Sequence, residues 1–292
     1  MKVALIGIGA MGAPMAANIV KAGHDLTVYD TDAARASALA AEIGAKVAAR
    51  LADLADNEAI VTMLPTGAIV RSVFVEADGG ALGKALKAGT LVIDMSSSEP
   101  VGTKELGVEL ARTGAVLIDA PVSGGVPRAV SGELTIMIGG DDRAAIERAK
   151  PLLLSMGKRL FETGPSGSGH AMKALNNFTA ASAYTATAEA MLIGKRFGLD
   201  PATMIDILNV STGQNFHSLH TMKDHVITEK YASGFAVGLL AKDVKIAADL
   251  GKAMGLDAPV SRLVSDRWAE ARDALGFAKD NSEAIRAWDK DL

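Results

Sequence analysis

Lys173 and Asn177 stand four residues apart, and Gly169 stands four before the lysine. On a helix that spacing puts all three along one stripe. The chemistry such a stripe offers is proton transfer. An amine can hold or release a proton, an amide one turn on can orient an oxygen, and a glycine leaves room for a ligand or a second backbone. The stripe belongs to a longer pattern, Gly164-Pro-Ser-Gly167-Ser-Gly169-His-Ala-Met-Lys173-Ala-Leu-Asn-Asn177, that is, G-x-x-G-x-G-x-x-x-K-x-x-x-N. Alone it reads more readily as a row of solvated polar residues. The glycine turn before it and its place at a change in sequence pattern favour a site.

A second constellation opens the chain. Gly7, Gly9 and Gly12 form G-x-G-x-x-G directly after the apolar run Val3-Ala4-Leu5-Ile6, and Asp30 ends a second run, Leu26-Thr27-Val28-Tyr29. A strand, this loop, a helix and an acid eighteen residues past Gly12 make a dinucleotide-binding pattern. Gly7 permits the tight turn, Gly9 lets backbone approach a pyrophosphate, and Gly12 lets the helix pack on the sheet. Ile8, Ala10 and Met11 complete the loop, and the helix start aims its N–H groups at the phosphates. Asp30 would accept hydrogen bonds from ribose hydroxyls and repel a 2′-phosphate, so NAD is expected over NADP. The competing reading is a glycine-rich turn with no ligand.

The third piece is Asp119-Ala-Pro-Val-Ser123-Gly124-Gly125, which follows the run Val116-Leu117-Ile118. Ligands of open α/β sheets bind beyond strand carboxyl ends, and Ser123 with the amides of Gly124 and Gly125 offers an anion nest. A plain glycine turn fits the same residues equally well.

The elements that must position these groups follow from hydrophobic patterning. Strands are expected at 2–7, 25–30, 45–48, 58–63, 90–94, 115–119, 134–138 and 158–162, with helices at 10–22, 32–43, 100–113 and 142–155. That alternation predicts a mostly parallel, doubly wound sheet with a possible mixed edge. Past Gly164 the pattern becomes helical throughout: a long helix of about 29 residues at 169–197, then 201–210, 216–227, 238–254, 259–275 and 282–289. The expected fold is therefore an α/β Rossmann-type domain over 1–163, followed by an all-α domain over 164–292.

Composition narrows the function classes. The chain has 292 residues, 49% apolar and 22% charged, with a formal charge of −4. It carries no basic footprint for nucleic acid or anionic lipid. It has no cysteine, which excludes disulfides, cysteine–zinc sites and thiol nucleophiles and is compatible with a cytoplasmic location. The uncharged stretch 3–20 superficially resembles a signal peptide, but Gly7, Gly9, Gly12, Pro14 and Asn18 interrupt it. His217, His220 and His225, with Asp224 among them, match no zinc-ligand pattern well, so no metal is expected. Apolar helices in the second half fit either a core or an oligomer interface, and a homodimer or homotetramer is expected.

Taken together, the motifs resemble those of the β-hydroxyacid dehydrogenase family. The resemblance rests on the N-terminal glycine loop, D-x-P-V-S-G-G, the K-x-x-x-N helix and a late Lys242-Asp243, and spans essentially the whole chain. It implies an NAD-dependent interconversion of a small 3-hydroxy acid and its semialdehyde. Lys173 would be the general acid/base, its pKa lowered from about 10.4 in water by desolvation in an interdomain cleft and by the nicotinamide charge. Asn177 would hold the substrate oxygen or the lysine's partner, and Ser123, Gly124 and Gly125 the carboxylate. Lys242 would lie by the cofactor and Asp243 by the substrate. Leu64 and Pro65, after Ile60-Val61-Thr62-Met63, and Ser97, in Asp94-Met95-Ser96-Ser97, match minor cofactor positions, although both are also ordinary loop chemistry.

Alternatives within the fold are a reductase of another small carbonyl acid (glyoxylate, succinic semialdehyde or sulfolactaldehyde type) and a non-catalytic dinucleotide-binding protein. Those glyoxylate-type relatives tend toward NADP and place Asn-Arg where this chain has Asp30-Thr31. One departure stands out: Val126-Pro127-Arg128-Ala129 puts an arginine where relatives carry small or apolar residues. Arg128 would either suit a dianionic acid or lie solvated on a short helix. Gln214-Asn215-Phe216 and Phe235 are expected on the substrate-side wall, while His24 and His170 are read as structural.

Overall fold

The computed structural model describes residues 1–289; residues 290–292 of the expected second domain lie outside the described residues. The chain divides into two compact units, Met1–Lys173 and a second from Ala174 onward.

The first unit is a sheet covered by helices on both faces. Its elements are β1 (Lys2–Ile6), α1 (Gly12–Lys21), β2 (Asp25–Tyr29), α2 (Ala33–Ile43), β3 (Lys46–Val47), β4 (Ala59–Thr62), α3 (Gly67–Val75), α4 (Ala81–Ala85), β5 (Leu91–Asp94), α5 (Pro100–Leu110), β6 (Val116–Asp119), β7 (Val122–Ser123), α6 (Gly125–Ser131), β8 (Leu134–Gly139), α7 (Arg143–Met156) and β9 (Gly157–Gly164). Six strands run parallel in the order β3-β2-β1-β4-β5-β6. The order reverses between β1 and β4, and open α/β sheets bind ligands at such a switch point.

β4 and β5 are buried along their whole length, so they read as continuous apolar runs rather than alternations. One face packs Met15, Ile19, Ala36 and Leu152 from α1, α2 and α7. The other packs Val70, Phe74, Leu82 and Leu106 from α3, α4 and α5.

The edge is mixed. β8 runs antiparallel to β6 and β7 and parallel to β9. The helix expected from residue 10 begins at Gly12, because Ala10 and Met11 stay in the turn that follows β1. The expected strand 45–48 shortens to two residues. The helix expected to 113 ends at Leu110 and continues as a tighter turn closed by Gly114 at φ 78°. Helices α3, α4 and α6 and strand β7 escape the pattern reading, since each is short or opens on a glycine, as α3 and α6 do.

The second unit is helical: most of α8 (Ser168–Phe197), then α9 (Pro201–Asn209), a wide-turned helix over His217–Val226, α10 (Val237–Ala253), α11 (Pro259–Leu275) and α12 (Ala284–Trp288). Its core centres on Tyr184 and Trp268, whose ring centroids lie 5.3 Å apart. Both polar tips are satisfied, Tyr184 Oη donating to Ser282 O and Trp268 Nε1 to Thr185 Oγ1, as buried Tyr and Trp require.

The α-helix expected at 216–227 is instead a π-helix. Asn215 sets its start by accepting the amides of His217 and Ser218 on its side-chain oxygen. Asn215 is thus consumed by a cap, and Phe235 packs into the unit's core.

His217 is buried edge-on against Tyr184, with Nδ1 2.9 Å from Thr221 Oγ1. Burial pushes its pKa down to about 4. Below the unfolded value near 6.5 the unfolded chain takes a proton that the fold refuses, so stability is intact above pH 6.5 and falls as pH drops toward 4. Chemical denaturation of wild type between pH 7 and 4 is expected to lose up to about 3 kcal/mol through this group, and His217→Gln is expected to flatten that slope. An unchanged slope in the variant would refute the assignment.

Candidate active site

The glycine loop leaves β1 at the switch point. Gly7 has φ 91°, and a Cβ there would lie 2.4 Å from Met63 O; a Cβ on Gly12 would lie 2.0 Å from Gly7 O. Both glycines are therefore demanded by protein packing. Gly9 is different: a Cβ there would meet nothing within 4 Å. Among the described residues the amides of Gly9, Ala10 and Met11 donate to no protein acceptor, and α1 begins at the next residue. An exposed cradle of free N–H groups at a helix start fits a pyrophosphate.

Asp30, just past β2, accepts Ile8 N–H on Oδ2 and Asp32 N–H on Oδ1. Its carboxylate is thereby pinned against the loop, with Arg35 Nη1 3.7 Å from Oδ1. Arg35 also pairs with Asp32 at 3.1 Å.

The loops after β4 and β5 are tied by one buried carboxylate. Asp94 accepts Thr62 Oγ1–H at 2.8 Å, Ser96 N–H at 3.0 Å and Ser98 Oγ–H at 2.7 Å. Ser96 Oγ in turn accepts the amide of Leu64. Leu64-Pro65 and Ser97 are thus fixed relative to each other, with Ser97 half-buried between two serines held on Asp94.

A second buried carboxylate, Asp119, stands beside Asp94 in register on β6. It accepts Gly167 N–H at 2.8 Å and His170 N–H at 2.9 Å. It therefore caps the start of α8 from another strand. Negative charge at a helix N-terminus is stabilised by the peptide dipoles, and each charge-assisted bond contributes about 1.5–3 kcal/mol. Gly169 permits the approach: a Cβ there would lie 2.4 Å from Met137 O and 2.8 Å from Asp119 Oδ2. The glycine of the stripe makes room for backbone, not for a ligand. His170 Nδ1 lies 2.8 Å from Thr103 Oγ1 and Nε2 3.5 Å from Asp94 Oδ2, locking the turn that precedes the half-buried Lys173.

Ser123 is half-buried at the end of β7, and Gly124 and Gly125 take φ 135° and 66°. Arg128 is exposed on α6 and its stem lies over Gly124, where a Cβ would stand 2.6 Å from Arg128 Cδ.

In the second unit Asn177 is buried and donates Nδ2–H to Asp243 Oδ2 at 2.6 Å, while its Oδ1 accepts from Asn176. A carboxylate only accepts, so Asp243 fixes which way the amide points. Lys242 Nζ stands 3.2 Å from Asp243 Oδ1. Among the described residues no three His, Cys, Asp or Glu side chains group as a metal site, and His217 is committed to Thr221.

Sequence reasoning missed Asp94, Asp119 and His170 as a set. The available signal was an aspartate ending each of two adjacent, otherwise wholly apolar strand runs.

Comparison with known proteins identifies the family. Residues 2–164 match the family model for the NAD binding domain of 6-phosphogluconate dehydrogenase, and residues 167–288 that for the NAD-binding region of NADP-dependent 3-hydroxyisobutyrate dehydrogenase. The chain belongs to the β-hydroxyacid dehydrogenase family. It is 34% identical over 291 residues to 2-(hydroxymethyl)glutarate dehydrogenase of Eubacterium barkeri, covering 99% of this chain and 95% of that one. It is 42% identical over 260 residues to human mitochondrial 3-hydroxyisobutyrate dehydrogenase, covering 85% and 74%. The solved Mycobacterium tuberculosis 3-hydroxyisobutyrate dehydrogenase with L-serine superposes with a TM-score of 0.87 at 32% identity, covering 98% of each chain. As a member of this family the chain is an NAD(P)-dependent oxidoreductase acting on the CH–OH group of hydroxy acids. No described helix is long and apolar enough to cross a membrane.

The two kinds of glycine separate experimentally. Gly9→Val is expected to leave the melting temperature within a few degrees of wild type while weakening NADH binding, read by fluorescence titration, at least about tenfold. Gly12→Ala is expected to destabilise the fold itself, by about 1–3 kcal/mol as overpacked positions do. Undiminished NADH binding by Gly9→Val would show that the cradle is not the phosphate site.

Proposed function

We propose that Lys173 is the general acid/base of this enzyme, acting on a small 3-hydroxy acid and its semialdehyde. The supporting observation is the Asp119 cap, which ties the helix turn carrying Lys173 to the carboxyl end of β6. Asp94 on the adjacent strand ties down the Leu64 and Ser97 loops. Bound NAD(P) supplies the hydride acceptor or donor. In oxidation Lys173 takes the hydroxyl proton as hydride leaves the same carbon. In reduction it returns that proton to the developing alkoxide.

Ser123 and the amides of Gly124 and Gly125 receive the substrate carboxylate. Asn177, its amide nitrogen held by Asp243, presents its oxygen to the lysine's proton or orients the substrate hydroxyl. Gly7, Ile8, Gly9, Ala10, Met11 and Gly12 hold the pyrophosphate, with Leu64, Pro65, Ser97 and Lys242 toward the nicotinamide. The nucleotide part of this reading covers 1–163, one residue short of the end of β9, and the remainder carries substrate and oligomer contacts.

Asp30 makes NAD the preferred cofactor. Its charge opposes a 2′-phosphate and also occupies Arg35, the cation that would otherwise receive one. Apolar side chains left in water on α8 and α9, Phe197 at 84% and Ile207 at 58% exposure among them, support a homodimer or homotetramer. The zero cysteine count fits a cytoplasmic location.

Lys173→Met is expected to lower kcat at least about 10³-fold, within the range lost with a general acid/base, while NADH affinity changes less than threefold. Retained kcat would refute the role. Asp30→Asn is expected to raise the NADP-to-NAD ratio of kcat/KM about tenfold or more, the scale of one lost charge-assisted contact. An unchanged ratio would remove Asp30 as the discriminator.

A further inference from the structure

Beside the loop that carries Ser123 lies a cavity of about 270 Å³ lined by Arg128, Glu133, Lys158 and Arg159. Its charge is unbalanced. Glu133 is taken by Lys158, with which it forms an ion pair, and neither arginine has a carboxylate within 4 Å among the described residues. Two guanidinium groups therefore share one small space with a single Glu133–Lys158 ion pair, which leaves the lining with two uncompensated positive charges. The Glu133 carboxyl is held below its ordinary range chiefly by Lys158, with Arg128 a smaller contributor.

The cavity is joined to the substrate loop by backbone register. Ser123 pairs with Thr135, and Thr135 pairs with Arg159. Directly paired residues project to the same side of a sheet, so Ser123, Thr135 and Arg159 form one row. A register shift between Leu134 and Thr135 leaves Lys158 as the extra residue of β9, a bulge that re-aims its neighbours. From the other side the Arg128 stem crosses Gly124 to reach the same cavity.

Ser123 and Arg159 stand two strand steps apart across β8, about 10 Å at 4.7–4.9 Å per step. A short diacid with one carboxylate on Ser123 covers that span when the long arginine side chains extend to meet the other. Arginine is suited to the task, because its planar fork takes a carboxylate through two parallel hydrogen bonds.

We propose that Arg128 and Arg159 form a second anion subsite, which makes the preferred substrates 3-hydroxy acids bearing a second carboxylate. The proposal rests on the reading of Ser123 as the seat of the first carboxylate.

The test compares 2-(hydroxymethyl)glutarate with 2-(hydroxymethyl)pentanoate, in which a methyl group replaces the distal carboxylate. Wild type is expected to favour the diacid in kcat/KM by about tenfold or more, with the difference in KM. Arg128→Ala/Arg159→Ala is expected to abolish that preference, and Arg128→Lys/Arg159→Lys to restore part of it. No preference in wild type, or a preference that survives the double alanine variant, overturns the subsite. If wild type oxidises neither acid, the hydroxyacid reading fails separately. Calorimetric titration with glutarate then decides the subsite: binding lost in the double alanine variant supports it, and binding absent in wild type or kept in the variant overturns it.

Discussion

The structure hangs on a carboxylate placed where a carboxylate is expensive. Asp119 is fully buried at the end of β6, and an ionised group there is tolerated only when hydrogen bonds replace its water. Those bonds come from Gly167 and His170 at the start of α8. The requirement is mutual: the first amides of a helix have no partners within it, and Asp119 supplies them. Satisfying one group with the other locks the helix that carries Lys173 onto the sheet. Gly139 and Gly169 make this possible, since a Cβ on either would come within 2.8 Å of Asp119.

Asp94 repeats the device one strand over. It gathers Thr62, Ser96 and Ser98, and through Ser96 the amide of Leu64. His170 closes the set, standing between Thr103 and Asp94. The ends of β4, β5 and β6 and the start of α8 thus share one polar network inside the first unit. Hydrogen bonds to Asp94 and Asp119 from several elements rigidify these strand ends. In the second unit Asp243 does for the Asn177 amide what Asp119 does for α8.

Much of this was legible in the sequence. The parallel sheet was readable because strands buried on both faces print as unbroken apolar runs, and α8 because thirty helical residues average out local exceptions. The glycine loop was readable because Gly7 and Gly12 answer to sterics that no other residue meets. Gly169 was read correctly as a close approach, but sequence could not say whether ligand or backbone approaches; the answer is backbone. Asp119 was visible as the head of D-x-P-V-S-G-G and Asp94 as the end of an apolar run, but neither as an anchor, since many of their partners are backbone amides and hydroxyls far along the chain. Arg128 was visible as a departure from pattern, whereas its meeting with Arg159 depends on a bulge in β9 that no local signal announces. The π-helix at His217–Val226 has the same apolar spacing as an ordinary helix and escaped for that reason.

With Lys173 as the acid/base, Asp119 acts through its position. Asp119→Asn tests it most directly, because the amide keeps the shape but can offer only one acceptor oxygen to the two amides. The measurement is kcat for hydroxy-acid oxidation alongside NADH affinity on the same preparation. The expected result is a fall in kcat of at least about tenfold, the scale of one lost charge-assisted hydrogen bond, with NADH affinity within about twofold of wild type. A wild-type kcat in a folded, NADH-binding Asp119→Asn variant would contradict it.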